Sequence, residues 1–139
     1  MVKVLIPLLL LSAAPVPASA DTKANVPAGA PIRLTISQET ALRCSALFAI
    51  VSSEQARHAA VSEGLPQPGL RGREYFVVTT GGLMDKTNAS RQQVVALFKA
   101  RHGQIMAEMT SAKDPRAARA AILTPCLALL GDELGNGTK

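Results

Sequence analysis

Cys44 and Cys126 are the two cysteines of this 139-residue chain, and their surroundings decide what chemistry is open to them. Neither belongs to a C-x-x-C pair, which argues against a redox-active dithiol. Cys44 lies in Thr40–Val51, where only Thr40, Arg43 and Ser45 are not apolar, and Cys126 lies in the apolar stretch Ile122–Leu130. An even count of two in an exported chain allows one intramolecular pairing, so a structural Cys44–Cys126 disulfide is expected. Closing a loop of that length stabilises a fold by about 4.5 kcal/mol in the chain-entropy treatment.

The remaining reactive residue types do not assemble into a reaction centre. His58 and His102 are the only histidines. His58 shares the helix expected around Cys44, but at 1.5 Å per residue the two stand roughly 21 Å apart. His102 follows Phe98 by four residues, which places it on or near an apolar stripe. No metal-ligand spacing is present, nor is there a G-x-S-x-G or H-E-x-x-H motif. Gly81-Gly82 lacks the Lys-Ser/Thr ending of a phosphate loop and reads as a hinge or a close helix contact. No metal, cofactor or enzymatic activity is therefore expected. The cations are the most suggestive group. Lys113, Arg116 and Arg119 gather at the start of a helix, where free N–H groups favour an anion, and Arg71 and Arg73 form a second basic pair beside Tyr75. All five are candidate anion-binding residues, set against the reading that they are a solvated face.

The elements that must position these residues begin with a targeting segment. Lys3 supplies a positive start, Val4–Ala14 an apolar stretch and Ala18-Ser19-Ala20 a cleavage signal, so residues 1–20 are expected to be a signal peptide. The apolar stretch is shorter than the about 20 residues a membrane-spanning helix needs, and nothing later in the chain reads as a span. Cleavage removes only Lys3 from the charge count, taking the net charge from +5 to +4. The pI near 9.7 is basic, but with no tryptophan and one tyrosine the chain lacks the stacking aromatics of single-stranded nucleic-acid binders. Nucleic acid is not an expected partner.

Residues 21–36, with Pro27, Gly29 and Pro31, read as a flexible leader ending in an extended lead-in. A helical domain is expected over 37–131. Its first helix is capped by Thr35 with Gln38, or equally by Ser37, and carries Ala41, Cys44, Phe48 and Val51 on one face. From Ser52 onward it turns polar, through Glu54, Gln55, Arg57 and His58, and is expected to emerge into solvent before Gly64. Leu65–Gly69 is a loop. Tyr75–Met84 is ambiguous: its β-branched residues suggest a strand, whereas Phe76, Thr80, Leu83 and Met84 share a helical face. A helix, weak or broken at Gly81-Gly82, is the favoured reading. Ser90 and Gln93 cap a third helix bearing Val94, Leu97, Phe98, Ile105 and Met109. Asp114 and Pro115 open a fourth, with Ala118, Ala121, Ile122, Cys126 and Leu129 on its inner face, a kink at Pro125 and an end near Gly131. Residues 132–139 read as a disordered tail. The fold class is all-α, a bundle of about four helices closed by one disulfide.

The leader ending Ala18-Ser19-Ala20, the helix-borne Cys44 and Cys126, and the Arg73-Glu74-Tyr75-Phe76 start to a central helix together resemble small exported two-cysteine helical proteins of Gram-negative bacteria. The expected signal peptide makes the chain an exported one, periplasmic if bacterial and otherwise secreted, and the resemblance brings no activity with it. The functional expectation is a non-enzymatic protein that binds another envelope protein or the anionic envelope surface. The alternative is a carrier of a small apolar ligand, with a pocket between helices, an arginine at its mouth and Met84, Met106 and Met109 as candidate lining.

Overall fold

Thr35 fixes where the first helix begins. The Gln38 amide donates to Thr35 Oγ1 at 3.2 Å while the Thr35 amide donates to Gln38 Oε1 at 2.9 Å, so two otherwise orphaned donors are satisfied reciprocally. Thr35, not Ser37, is the cap, and α1 runs Ile36–Ala56. The computed structural model describes residues 31–135; the expected signal peptide, the leader up to residue 30 and the end of the tail lie outside the described residues. A single 3-10 turn, Ala60–Ser62, follows α1. Then come α2 (Gly69–Thr87), α3 (Arg91–Ser111) and α4 (Pro115–Gly135). Among the described residues there is no strand, and the all-α bundle closed by a Cys44–Cys126 disulfide is the observed architecture.

The breadth of the apolar surface on α1 explains its place. Leu42, Cys44, Ala46, Leu47, Phe48, Ile50 and Val51 are all at most 3% exposed, which requires neighbours on several sides of the helix. α2, α3 and α4 supply them. The main core joins Leu47, Phe48 and Val51 to Tyr75 of α2, Ile105 and Met109 of α3, and Leu123 of α4. A second cluster joins Leu42, Leu83, Ala89 and Val94, and Ile32 and Leu34 pack against it. The last residues of the expected leader are therefore anchored to the bundle by their apolar side chains.

α2 is a continuous helix straight through Gly81-Gly82. Its β-branched residues do not make a strand because the described residues hold no second strand to pair with, and Tyr75 and Leu83 reach the core at helical spacing. Gly72 is needed for its seating: a Cβ there would lie 2.6 Å from Pro68 Cβ and 3.3 Å from Phe48 Cβ. α3 starts at the expected capping box, with the Gln93 amide donating to Ser90 Oγ at 3.2 Å. α4 starts with Asp114 Oδ1 accepting from the amides of Arg116 and Ala117. It continues past Gly131 to Gly135, so the helix takes in the first residues assigned to a disordered tail.

The buried face of α4 differs from the expected one. Arg119, Leu123, Cys126 and Leu130 are the buried residues, at four-, seven- and eleven-residue offsets, whereas Ala121 is exposed. The two cross-links between α1 and α4, Cys44 to Cys126 and Glu54 to Arg119, run in opposite chain order, so the helices are antiparallel. Glu39 with Arg101 and Arg43 with Glu108 run in the same order, so α1 and α3 point the same way.

Candidate functional site

The disulfide lies inside the bundle. Its two Cα atoms are 5.3 Å apart, and Cys44 and Cys126 are 2% and 3% exposed. The described residues hold no free cysteine. This bond is a staple between α1 and α4, as its burial in apolar surroundings requires.

The other link between these helices was not anticipated. Glu54 was expected to face solvent, and it is buried. Arg119 was a candidate anion-binding residue, and it is buried beside Glu54 as its partner. Arg119 Nη2 donates to Glu54 Oε1 at 2.7 Å and Nε donates to Oε2 at 2.9 Å. Ser62 Oγ also donates to Oε2, and Arg119 Nη1 donates to the Pro115 carbonyl at 2.8 Å. Burial pushes the Glu54 carboxyl upward, but hydrogen bonds from Arg119 and Ser62 and the nearby positive charges outweigh it and hold the pKa below its ordinary value. The signal was present in the spacing. Glu54 lies seven residues after Leu47 and four after Ile50, on the buried side of α1, and Arg119 lies seven before Cys126, on the face of that cysteine.

The remaining expected cations do not converge. Lys113 and Arg116 are exposed at the start of α4. The free amides that would have completed an anion site there are held by Asp114. Arg71 donates from Nη2 to the Leu130 carbonyl at 2.9 Å, tying α2 to α4. Arg73 is exposed and forms no ion pair among the described residues. His58 is exposed at the end of α1 with φ +56°, and His102 lies against the Phe98 ring at 6.5 Å. No group of three or more metal-ligating side chains converges among the described residues.

Arg73 instead borders a cleft of about 330 Å³ formed by α1, α2 and α3. Phe48, Phe76 and Phe98 supply its apolar walls. Phe76 and Phe98 pack edge to face at 5.0 Å, and Phe48 packs the same way on Tyr75 at 5.6 Å. Ala49 and Ser52 contribute small side chains from α1, and Arg73 is the single charged residue of the lining. Ser45 lines the cleft too. It is 0% exposed, and its Oγ is the one buried side-chain polar atom among the described residues without a hydrogen-bond partner. The methionines are placed elsewhere: Met109 is in the main core, Met106 packs against it, and Met84 packs against the second cluster.

A second feature lies on the outer side of α2. Leu70, Val77 and Val78 are 79%, 62% and 52% exposed. No described helix is long and apolar enough to cross a membrane. No family model matches the chain, and no curated protein and no solved structure does so either.

Proposed function

We propose that this chain is a non-enzymatic exported protein that carries a small apolar ligand in the cleft between α1, α2 and α3. The observation that supports it is the cleft itself, about 330 Å³ with three phenylalanine rings in its walls. That volume stands at the lower end of the about 300–1,000 Å³ typical of ligand pockets. Mostly apolar walls with few polar groups are the usual composition of such sites. Export rests on Lys3, the apolar stretch after it and the Ala18-Ser19-Ala20 cleavage signal. The test is saturable binding of a neutral apolar dye, N-phenyl-1-naphthylamine, to the oxidised protein. Ala49→Trp places a large ring in the cleft from an exposed helix position and should abolish binding without lowering Tm. Absence of saturable binding, or binding indifferent to Ala49→Trp, refutes the carrier reading.

The exposed Leu70, Val77 and Val78 favour a second reading, in which the outer face of α2 docks on another envelope protein or on the envelope surface. Exposed apolar groups on one helix face lower the cost of such an encounter, and the exposed Arg71 and Arg73 add attraction to an anionic partner. Val77→Ser with Val78→Ser should then lose a partner captured by the native protein from envelope extracts, or lose flotation with anionic vesicles. Retention of both interactions by the variant rejects this face as the docking surface.

A further inference from the structure

Resting on the second of these readings, in which the outer face of α2 is a docking surface, we infer that the partner is the surface of an anionic phospholipid bilayer, met by a face that α2 shares with α3. The contacts are Leu70, Arg73 and Val77 of α2 and Arg91, Val95 and Lys99 of α3.

Helical spacing assembles this face. Only residues 88–90 separate α2 from α3, and the Phe76 and Phe98 rings meet between the two helices at 5.0 Å, so the helices are antiparallel neighbours. Arg73 lies three residues before Phe76 and Val95 three before Phe98, which sets each beside its ring on its own helix. Leu70 and Val77 continue the Arg73 row at offsets of three and four, and Arg91 and Lys99 flank Val95 at offsets of four. All six side chains are exposed, Val95 at 44%. The two rows therefore border one interhelical seam on its solvent side.

Charge selects the partner. Arg73, Arg91 and Lys99 form no ion pair among the described residues. Glu108 is the only carboxylate of α3, and Arg43 holds it. The carboxylates of α2, Glu74 and Asp85, fall on the row of Val78, four residues before it and seven after it. Arg91 is also the first residue of α3, where the helix dipole disfavours a cation, and no acid stands in that first turn to offset it. Helix stability gives no reason for a cation there, whereas an anionic surface does. The apolar members of the face are one leucine and two valines, and no aromatic ring is among the exposed large apolar side chains of the described residues. A protein interface is ordinarily anchored by tryptophan, tyrosine or arginine seated in a pocket. Short apolar groups that dip below the headgroups, with cations at phosphate level, are the pattern of a bilayer-surface contact.

The test is sedimentation of the oxidised protein, without the expected signal peptide, with vesicles of phosphatidylglycerol and phosphatidylcholine in equal parts and with vesicles of phosphatidylcholine alone. Binding is expected to the anionic vesicles only and should weaken as sodium chloride is raised. One basic residue near an anionic surface strengthens binding about fivefold. The triple variant Arg73→Gln, Arg91→Gln, Lys99→Gln should therefore bind about a hundredfold more weakly, with Tm unchanged. Val77→Ser and Val95→Ser should each weaken binding by about threefold or more, whereas Val78→Ser, on the acidic row, should not. Excess inorganic phosphate should displace no more protein than sodium chloride of the same ionic strength, which separates a lipid surface from free phosphate as the ligand. Equal binding to both vesicle types, full binding by the triple variant, a loss on Val78→Ser as large as that on Val77→Ser, or displacement specific to phosphate overturns the inference. If no vesicle binds but an envelope protein is captured and Val77→Ser with Val78→Ser releases it, the lipid inference falls and the docking reading stands. If neither interaction is found, both fall together.

Discussion

Replacing Arg119 by methionine should be the most damaging single change to this bundle outside its apolar core. The guanidinium and the Glu54 carboxylate are 5% and 6% exposed. They share two hydrogen bonds, of 2.7 and 2.9 Å. Removing one member of so enclosed a pair costs about 3–5 kcal/mol, because the other is left charged and buried. At roughly 4–8 °C per kcal/mol for a domain of this size, Tm should fall by at least about 12 °C. Glu54→Leu with Arg119→Met replaces both charges by apolar groups, and such double replacements are often close to neutral. The double-mutant cycle should therefore show a coupling of at least about 2 kcal/mol. Acid sharpens the test. In the native protein the Glu54 pKa is lowered below the reference value of 4.5. Its contribution is therefore present above the unfolded pKa and lost as pH falls through the folded one. In Arg119→Met the burial of Glu54 is no longer opposed by Arg119, so the folded pKa moves up and protonation relieves the strain. The stability gap between native and variant should close as pH drops from 7 toward 4. Urea titrations at each pH read this directly. A cost under about 1 kcal/mol, additive single substitutions, or a gap that widens in acid would refute the reasoning.

Other expected outcomes follow from the packing. Cys44→Ala with Cys126→Ala should cost up to about 4.5 kcal/mol, read as a lower denaturation midpoint, and the unfolded oxidised protein should not react with a thiol reagent. Gly72→Ala should destabilise by about 1–3 kcal/mol through overpacking against Pro68 and Phe48. Gly81→Ala and Gly82→Ala meet nothing within 4 Å and should each stabilise α2 by about 0.5–1 kcal/mol; thermal melts of the three variants would show opposite signs. Ser90→Ala removes the acceptor of the Gln93 amide and should cost about 1 kcal/mol, checked in the same melts.

Much of the architecture was legible because it is written in local chemistry. Thr35 with Gln38, Ser90 with Gln93, and Asp114 with Pro115 mark helix starts by groups a few residues apart, and the structure uses all three. The cysteine pairing was legible because two cysteines have one way to join. The Glu54–Arg119 pair was not, since a charged residue at the polar end of a helix is ordinarily solvated and its partner is 65 positions away. Drawing the inner face of α4 through Ala118, Ala121 and Ile122 turned Arg119 outward. Admitting an arginine to the face that holds Leu123, Cys126 and Leu130 would have exposed it. Ser45 was visible as a polar residue in an apolar run, but only tertiary packing decides whether its hydroxyl finds a partner. The cleft needed three helices to form, and Met84, Met106 and Met109 were drawn off into cores by the same flexible shape that had made them candidates.

The staple between α1 and α4 also determines how the domain would bear tension. A pull on the two ends of the described chain travels from residue 31 to Cys44, crosses the sulfur bridge and leaves from Cys126 to residue 135. Residues 45–125, which include all of α2 and α3, carry none of that load. The slack that pulling can release comes from roughly 24 residues, about 80 Å at full extension, instead of about 350 Å for the unbridged segment. A protease that nicks a loop inside the bridged segment likewise leaves the two products in one covalent piece. The cleft is built from α1, α2 and α3 within that sheltered stretch. The helices that form the cleft are thus wired in parallel with the force path and not in series with it.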